Sequence, residues 1–205
     1  MTLITGFRRP SRFKPVFLIL YLPLAIMQSA SLRGNRLATS HCIQTLPTMP
    51  EQTKPIEVTA TILIDSRPAT VFAYYSNYLN DPAWRAEIKK VETDTEHIRT
   101  KTRITEESFL SRSVPKHINR LECIELQLNK LITSQTTSDN QFWSRNTRTV
   151  EPAANNGTKV TYQLEFDAAI VKYGLGFGLP RFIVSAYTKA TMKKYLSSLK
   201  RILEQ

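Results

Sequence analysis

The chain has 205 residues, 41% of them hydrophobic, with a formal net charge of +11 and two cysteines. That hydrophobic content is too high for a disordered chain, and Cys42 and Cys123, far apart in dissimilar stretches, do not make a disulfide scaffold. The charge is uneven: residues 1–54 carry seven Lys/Arg against one acid, while the bases of residues 55–205 are scattered. Nucleic-acid binding wants bases clustered on the folded domain among aromatics, so no nucleic-acid partner is expected.

The leader, residues 1–54, sets Arg8, Arg9, Arg12 and Lys14 before the apolar run Val16 to Met27. A spanning helix needs about 20 apolar residues, and this run is shorter and contains Pro23. It fits a signal peptide, although Gln28 stands where a cleavage site after Ala30 would prefer a small residue. No acid precedes Glu51, a composition that also suits a mitochondrial presequence. The expected location is therefore secreted or membrane-anchored, with mitochondrial as the alternative. Residues 31–54 read as a linker leading to a second unit, residues 55–205.

That unit opens on a half-buried strand. Ile56, Val58, Ala60, Ile62 and Ile64 alternate with a mostly polar set. Asp65 or Ser66 can cap a helix that starts at Pro68, where a missing N–H costs nothing. Asn80-Asp81-Pro82 ends it and begins a second short helix carrying Trp84. Alternating or β-rich segments follow at 88–95, 98–106, 118–128, 131–137 and 143–151, the second of them reading as solvent-facing. Asn156-Gly157 predicts a tight turn into the clearest late strand, 158–167. There is no β–helix–β alternation, which excludes a doubly wound fold and favours α+β.

Gly174 to Pro180 then leads into a helix that runs to the terminus. Met192, Tyr195, Leu196, Leu199, Ile202 and Leu203 make one stripe opposite Lys193, Lys194, Lys200 and Arg201. Its first half differs. Phe182, Ile183, Val184, Ala186, Tyr187 and Ala190 spread around the circumference, as if apolar surroundings lay on more than one side.

This order resembles the helix-grip fold of the SRPBCC superfamily, which includes START domains, pathogenesis-related proteins and polyketide cyclase/dehydrase-like proteins. The resemblance rests on Ala60-Thr-Ile-Leu-Ile-Asp65 with Pro68, Val71 and Phe72; on Asn80-Asp81-Pro82 with Trp84; on Gly157 to Tyr162; and on Leu196 to Leu203. It is nearest to the cyclase/dehydrase and lipid-transport branch. The resemblance implies a curved antiparallel sheet around a long C-terminal helix, two short helices after the first strand, and an apolar cavity between sheet and helix. Such a cavity would bind a lipid, sterol, quinone or polyketide-like molecule.

Candidate ligand-binding residues are Trp84, Tyr74, Tyr78, Tyr162, Leu164 and Phe166, with Phe182, Ile183 and Tyr187 as a lid. Trp84 reads more readily as core packing, and Tyr162, Leu164 and Phe166 equally well as lining or as core. The glycines at 174–178 lack the spacing of a phosphate cradle, so they read as a hinge or mouth loop. Leu175, Phe177 and Leu179 make that loop apolar enough to touch a membrane, as the leader also could. His41, His97 and His117 have no metal-ligand spacing, so no metal or cofactor is expected, and nothing singles out a catalytic residue. The acidic pairs Glu106-Glu107 and Glu165/Asp167 read as solvated sheet surface. The first expectation is a binder or carrier of a hydrophobic small molecule. A cyclase/dehydrase enzyme using the same cavity is the alternative, and a chaperone-activator module shares the fold.

Overall fold

The computed structural model describes residues 54–205; the readings of the leader and of Cys42 lie outside the described residues. Seven strands form one antiparallel sheet: β1 (Ile56–Ile64), β2 (Ile88–Thr93), β3 (Arg103–Ser108), β4 (His117–Gln127), β5 (Leu131–Thr136), β6 (Ser144–Pro152) and β7 (Thr158–Phe166). Their order is β1-β7-β6-β5-β4-β3-β2. Strands β2 to β7 are a meander, and β1 closes the far side by pairing with β7 from Ile56↔Phe166 to Ile64↔Thr158. The helices are α1 (Pro68–Tyr75), α2 (Asp81–Trp84), α3 (Ala169–Leu175) and α4 (Arg181–Leu203). This is the α+β helix-grip architecture: a curved sheet, two short helices after the first strand, and a long helix at the C-terminus.

The alternation read in β1 sorts as expected. Ile56, Val58, Ala60 and Ile64 are buried, while Glu57, Thr59, Thr61 and Leu63 point outward. The inner face of β7 continues the layer with Val160, Tyr162 and Phe166. Under α4 these residues join Val71, Phe72, Tyr75, Trp84, Met192, Leu196 and Leu199 in one apolar cluster. A second cluster joins Tyr78 to Ile104, Leu121, Cys123 and Ile132 of β3, β4 and β5.

Five local readings need correction. Neither Asp65 nor Ser66 caps α1, whose N-cap position is Arg67. Both are used elsewhere: the Asp65 N–H donates to Glu204 Oε1 (2.6 Å) and the Ser66 carbonyl accepts from Thr158 Oγ1 (2.6 Å). The strand expected over 98–106 begins only at Arg103, after a turn with Lys101 at φ 73°. It is not solvent-facing, because Ile104, Glu106 and Ser108 point inward and are buried. The turn before β7 places Asn155 and Asn156, not Gly157, at positive φ (56° and 57°). Gly157 is needed for close approach instead: a Cβ there would lie 3.1 Å from the Ala154 carbonyl oxygen and 3.2 Å from that of Ile64. Finally, residues 169–175 form a helix. It stops at Gly176, whose φ of 82° suits a glycine C-cap.

The ends of α4 are held differently. At its C-terminal end, Lys200 Nζ donates to the Leu63 carbonyl (2.7 Å), and Glu204 takes the Asp65 N–H. At its N-terminal end, Arg181 Nη2 donates to the Pro55 carbonyl (2.7 Å). The short α3 is fixed by aromatic contact. Tyr173 lies 5.1 Å from Phe142 and 6.0 Å from His117 between ring centroids, which ties α3 to the β5–β6 loop and the start of β4.

Candidate functional site

The most unusual chemistry of the described residues lies where α2, the sheet and α4 meet. Its centre is Arg148 in the middle of β6, a fully buried arginine. The strand phase puts it there: Asn146, Arg148 and Val150 share the inward face, with Arg148 paired to Tyr162 on β7. Its guanidinium forks onto the buried Asp81, with Nη1 donating to Oδ1 (2.9 Å) and Nη2 to Oδ2. Nη1 also donates to the Tyr75 carbonyl (2.8 Å). Asp81 is the first residue of α2, beside Pro82, so its carboxylate sits in the first helical turn, where negative charge is favoured.

Four aromatic rings enclose the arginine. Its Cζ lies 4.0 Å from the Tyr78 ring centroid, 5.3 Å from Trp84, 5.4 Å from Tyr75 and 5.9 Å from Tyr162. A desolvated guanidinium over aromatic faces gains cation–π attraction in addition to its ion pair. Burial pulls the Arg148 pKa down. Asp81 and the neighbouring tyrosines outweigh that pull, and the group ends well above its ordinary value. The Tyr78 hydroxyl, 2.8 Å from Ser134 Oγ and 2.9 Å from Asn146 Oδ1, completes the floor.

A second arginine extends the network. Arg85 Nη1 donates to Asp81 Oδ2 (2.9 Å) and Glu106 Oε1 (3.0 Å), and its Nε donates to Glu87 Oε1 (3.0 Å). Burial raises the pKa of Glu106 against the opposing pull of Arg85. Tyr195 of α4 is also raised well above the ordinary tyrosine value, by burial first and then by the Glu87 charge. Two arginines and three carboxylates therefore share one low-dielectric region, and each ion is compensated by opposite charge.

Three polar atoms in this network make no well-formed hydrogen bond: Trp84 Nε1, Arg148 Nε and Glu87 Oε2, the Glu87 carboxylate having the Tyr195 hydroxyl close by. A buried donor or acceptor left unmatched costs about 1–3 kcal/mol, so such groups mark places where a water or a ligand atom belongs. Two of them donate and one accepts. A carbonyl or hydroxyl oxygen would suit the donors, and a hydroxyl proton would suit the acceptor. No set of three or more His, Cys, Asp or Glu among the described residues is arranged to hold a metal ion.

The structure brings some of the expected site residues together and leaves others outside. Trp84, Tyr78 and Tyr162 are buried around Arg148. Leu164 and Phe166 continue the same inner face of β7, half-buried and buried respectively. Tyr74 is half-buried at the margin, and burial followed by Asp81 raises its hydroxyl pKa. The expected inward lid of Phe182, Ile183 and Tyr187 is corrected: all three face outward, with Phe182 74% and Tyr187 57% exposed. Val184 takes the inward position, because Met192, Leu196 and Leu199 set the buried face of the helix.

Sequence reasoning missed Arg148, Asp81, Arg85, Glu87 and Glu106. The inward phase of Asn146-x-Arg148-x-Val150 was the available signal, a charge on the apolar side of a strand. Glu106, read as solvated surface, is only 3% exposed. A hollow of about 440 Å³ lies elsewhere, across β3, β4 and β5, and its rim of Arg103, Arg120, Glu122 and Asp139 is polar and unlike an apolar ligand site.

Known proteins agree with this architecture. Solved structures with the same fold include a START superfamily protein from Mycobacterium smegmatis (TM-score 0.58, 14% identity, covering 73% of this chain and 97% of that one). The Zhui aromatase/cyclase from Streptomyces sp. R1128 is also similar (0.55, 13%, 72% and 93%), as is a protein from Thermus thermophilus (0.55, 17%, 71% and 94%). No curated protein matches the sequence. At these identities the structures establish the fold. Residues 55–204 match the family described as polyketide cyclase / dehydrase and lipid transport. The chain belongs to that family, and through it to the SRPBCC superfamily, with the helix-grip fold seen in its START-like neighbour.

Proposed function

We propose that residues 55–205 bind a hydrophobic small molecule that carries an oxygen-bearing polar group. The molecule lies between the sheet and α4, with its polar group against Trp84 Nε1, Arg148 Nε and Glu87 Oε2. The observation that carries this reading is that three buried polar atoms of one aromatic-lined network make no hydrogen bond. A plain hydrocarbon would leave all three unmatched. A quinone, sterol, fatty acid or polyketide-like carbonyl compound would not.

Access is through the junction of α3 and α4. Only Val184 is buried in the first half of α4, and Gly176 and Gly178 precede it, with no atom within 4 Å of a Cβ built at either. The segment can therefore swing at the cost of the Val184 packing and the Arg181–Pro55 bond, and the Arg148 network stays fixed beneath it. The carrier reading is preferred to catalysis because both arginines are held in ion pairs with Asp81.

Native mass spectrometry of the chain purified from a lipid-rich host tests the reading. A stoichiometric oxygenated lipid or quinone is expected, with at least tenfold weaker binding in Trp84→Phe. A structure with one water joining the three atoms, in a protein that ignores both apolar and carbonyl-bearing probes, would overturn it. One observation favours an enzyme instead: Glu106 faces inward and burial raises its carboxyl pKa, as an acid–base group requires. In that case Glu106→Gln would abolish ring closure of a poly-β-ketone probe while leaving its binding intact.

A further inference from the structure

We propose that the outer face of the first half of α4, with the apolar loop that precedes it, docks on an anionic lipid bilayer. Between Asp167 and Glu204 the sequence carries seven Lys/Arg and no acid. Helix α4 buries Val184, Met192, Leu196 and Leu199 on one side. About half a turn away, Phe182, Ile183, Ala186, Tyr187 and Ala190 lie outside that buried stripe. The same outer side continues with Lys193, Lys194 and Arg201, and Lys189 stands at its edge. None of these four bases forms an ion pair with the described residues, unlike Lys200, which pairs with Glu204 at 2.9 Å. Just before the helix, Leu175 and Phe177 are 42% and 58% exposed.

One helix is thus apolar on two opposite sides of its first half. The inner side is used by the core. The outer side is rimmed by unpaired bases, and scattered surface hydrophobics do not make such a patch. Aromatic and aliphatic groups flanked by lysines, with no acid among them, are the pattern of a helix lying in a membrane interface. Its rings enter the headgroup boundary and its lysines meet lipid phosphates. No helix of the described residues is long and apolar enough to cross a bilayer, so the contact is with the surface. A second copy is a poorer occupant, because it would oppose two acid-free basic faces. Residues 1–50 are no better, since they carry six Lys/Arg and no acid. The inference rests on this surface alone and stands whether or not the interior takes a ligand.

The test reads one position rather than overall binding, because the basic leader could hold the chain on vesicles by itself. In the full chain with Cys42→Ser, an environment-sensitive fluorophore is attached at Phe182→Cys, or for comparison at Leu128→Cys in the β4–β5 turn. Cys123 is fully buried and will not compete. With phosphatidylserine-containing vesicles, a blue shift is expected at 182 and none at 128, weakened by salt. Each base near an anionic surface contributes roughly fivefold in partitioning. The 182 signal of Lys189→Gln/Lys193→Gln/Lys194→Gln should therefore need on the order of a hundredfold more lipid. A silent probe at 182 on a chain that still sediments with vesicles would overturn the proposal. So would an equal shift on pure phosphatidylcholine. A shift that precedes vesicle addition and vanishes on dilution would assign the face to a second copy.

Discussion

The two halves of α4 are continuous in backbone and opposite in what they contact. From Met192 onward the helix buries three large side chains against β1, β7 and Trp84, and its end is bonded to Leu63 and Asp65. From Arg181 to Ala190 it buries only Val184 and exposes two aromatic rings. The C-terminal half is therefore part of the folded core, while the N-terminal half is held mostly by helical continuity. Sub-global opening draws on weakly packed segments of this kind, which are also where small-molecule binding domains need movement.

The contrast can be broken most forcefully beneath the firm half. Arg148→Ala leaves Asp81 buried without its fork of donors and should cost about 3–5 kcal/mol in denaturant unfolding. The double variant Arg148→Met/Asp81→Leu should cost much less than the two single changes added, since no charge remains unpaired at that fork. Leu196→Ala, in the fully buried stripe, should cost about 2–5 kcal/mol by the same measurement.

A smaller effect follows from Glu106. Burial raises its folded pKa, so the folded state keeps this proton to higher pH than the unfolded chain does. The stability that the protonated group contributes is whole below the ordinary carboxylate range. It is lost as pH climbs from there through the raised folded value. Urea midpoints of the wild type relative to Glu106→Gln should accordingly fall as pH rises across that window. If the difference is flat, Glu106 is ionised in the folded state throughout. The smallest effects belong to the exposed half of α4: Phe182→Ser and Tyr187→Ser should change stability by no more than about 0.5 kcal/mol. A loss of several kcal/mol there would mean the two halves are packed alike.

The fold was legible because its signals are local and periodic. The period of two in β1 and β7 and the stripe from Met192 to Leu203 each report a buried face directly. What the sequence left ambiguous needed partners from far away. Arg148 becomes a sensible interior residue only when Asp81, 67 positions earlier, is brought to it. Read alone, Glu106 is one more acid on a charged strand, and Arg85 decides otherwise. The side of α4 that faces inward was misjudged for the same reason. Phe182 and Tyr187 are the larger side chains, but the helical phase set by Met192 and Leu196 turns Val184 inward. Asp65 and Ser66 carry a plausible capping signal that loses to bonds with Glu204 and Thr158.

The pairing of β1 with β7 has a consequence during synthesis. Ile56 meets Phe166 only after the intervening strands have been made. At a ribosomal rate of about 5–20 residues per second, those roughly 110 residues take about 5–20 s to appear. For that time β1 is an alternating apolar strand without its neighbour, emerging first from the domain, while the helix that covers it is the last segment translated. Its pairing is also the most non-local in the sheet, the kind of contact that forms slowly. The nascent chain is most exposed to misassociation at this strand, and a chaperone that shields alternating apolar segments would act on Ile56 to Ile64 before any other part of the domain.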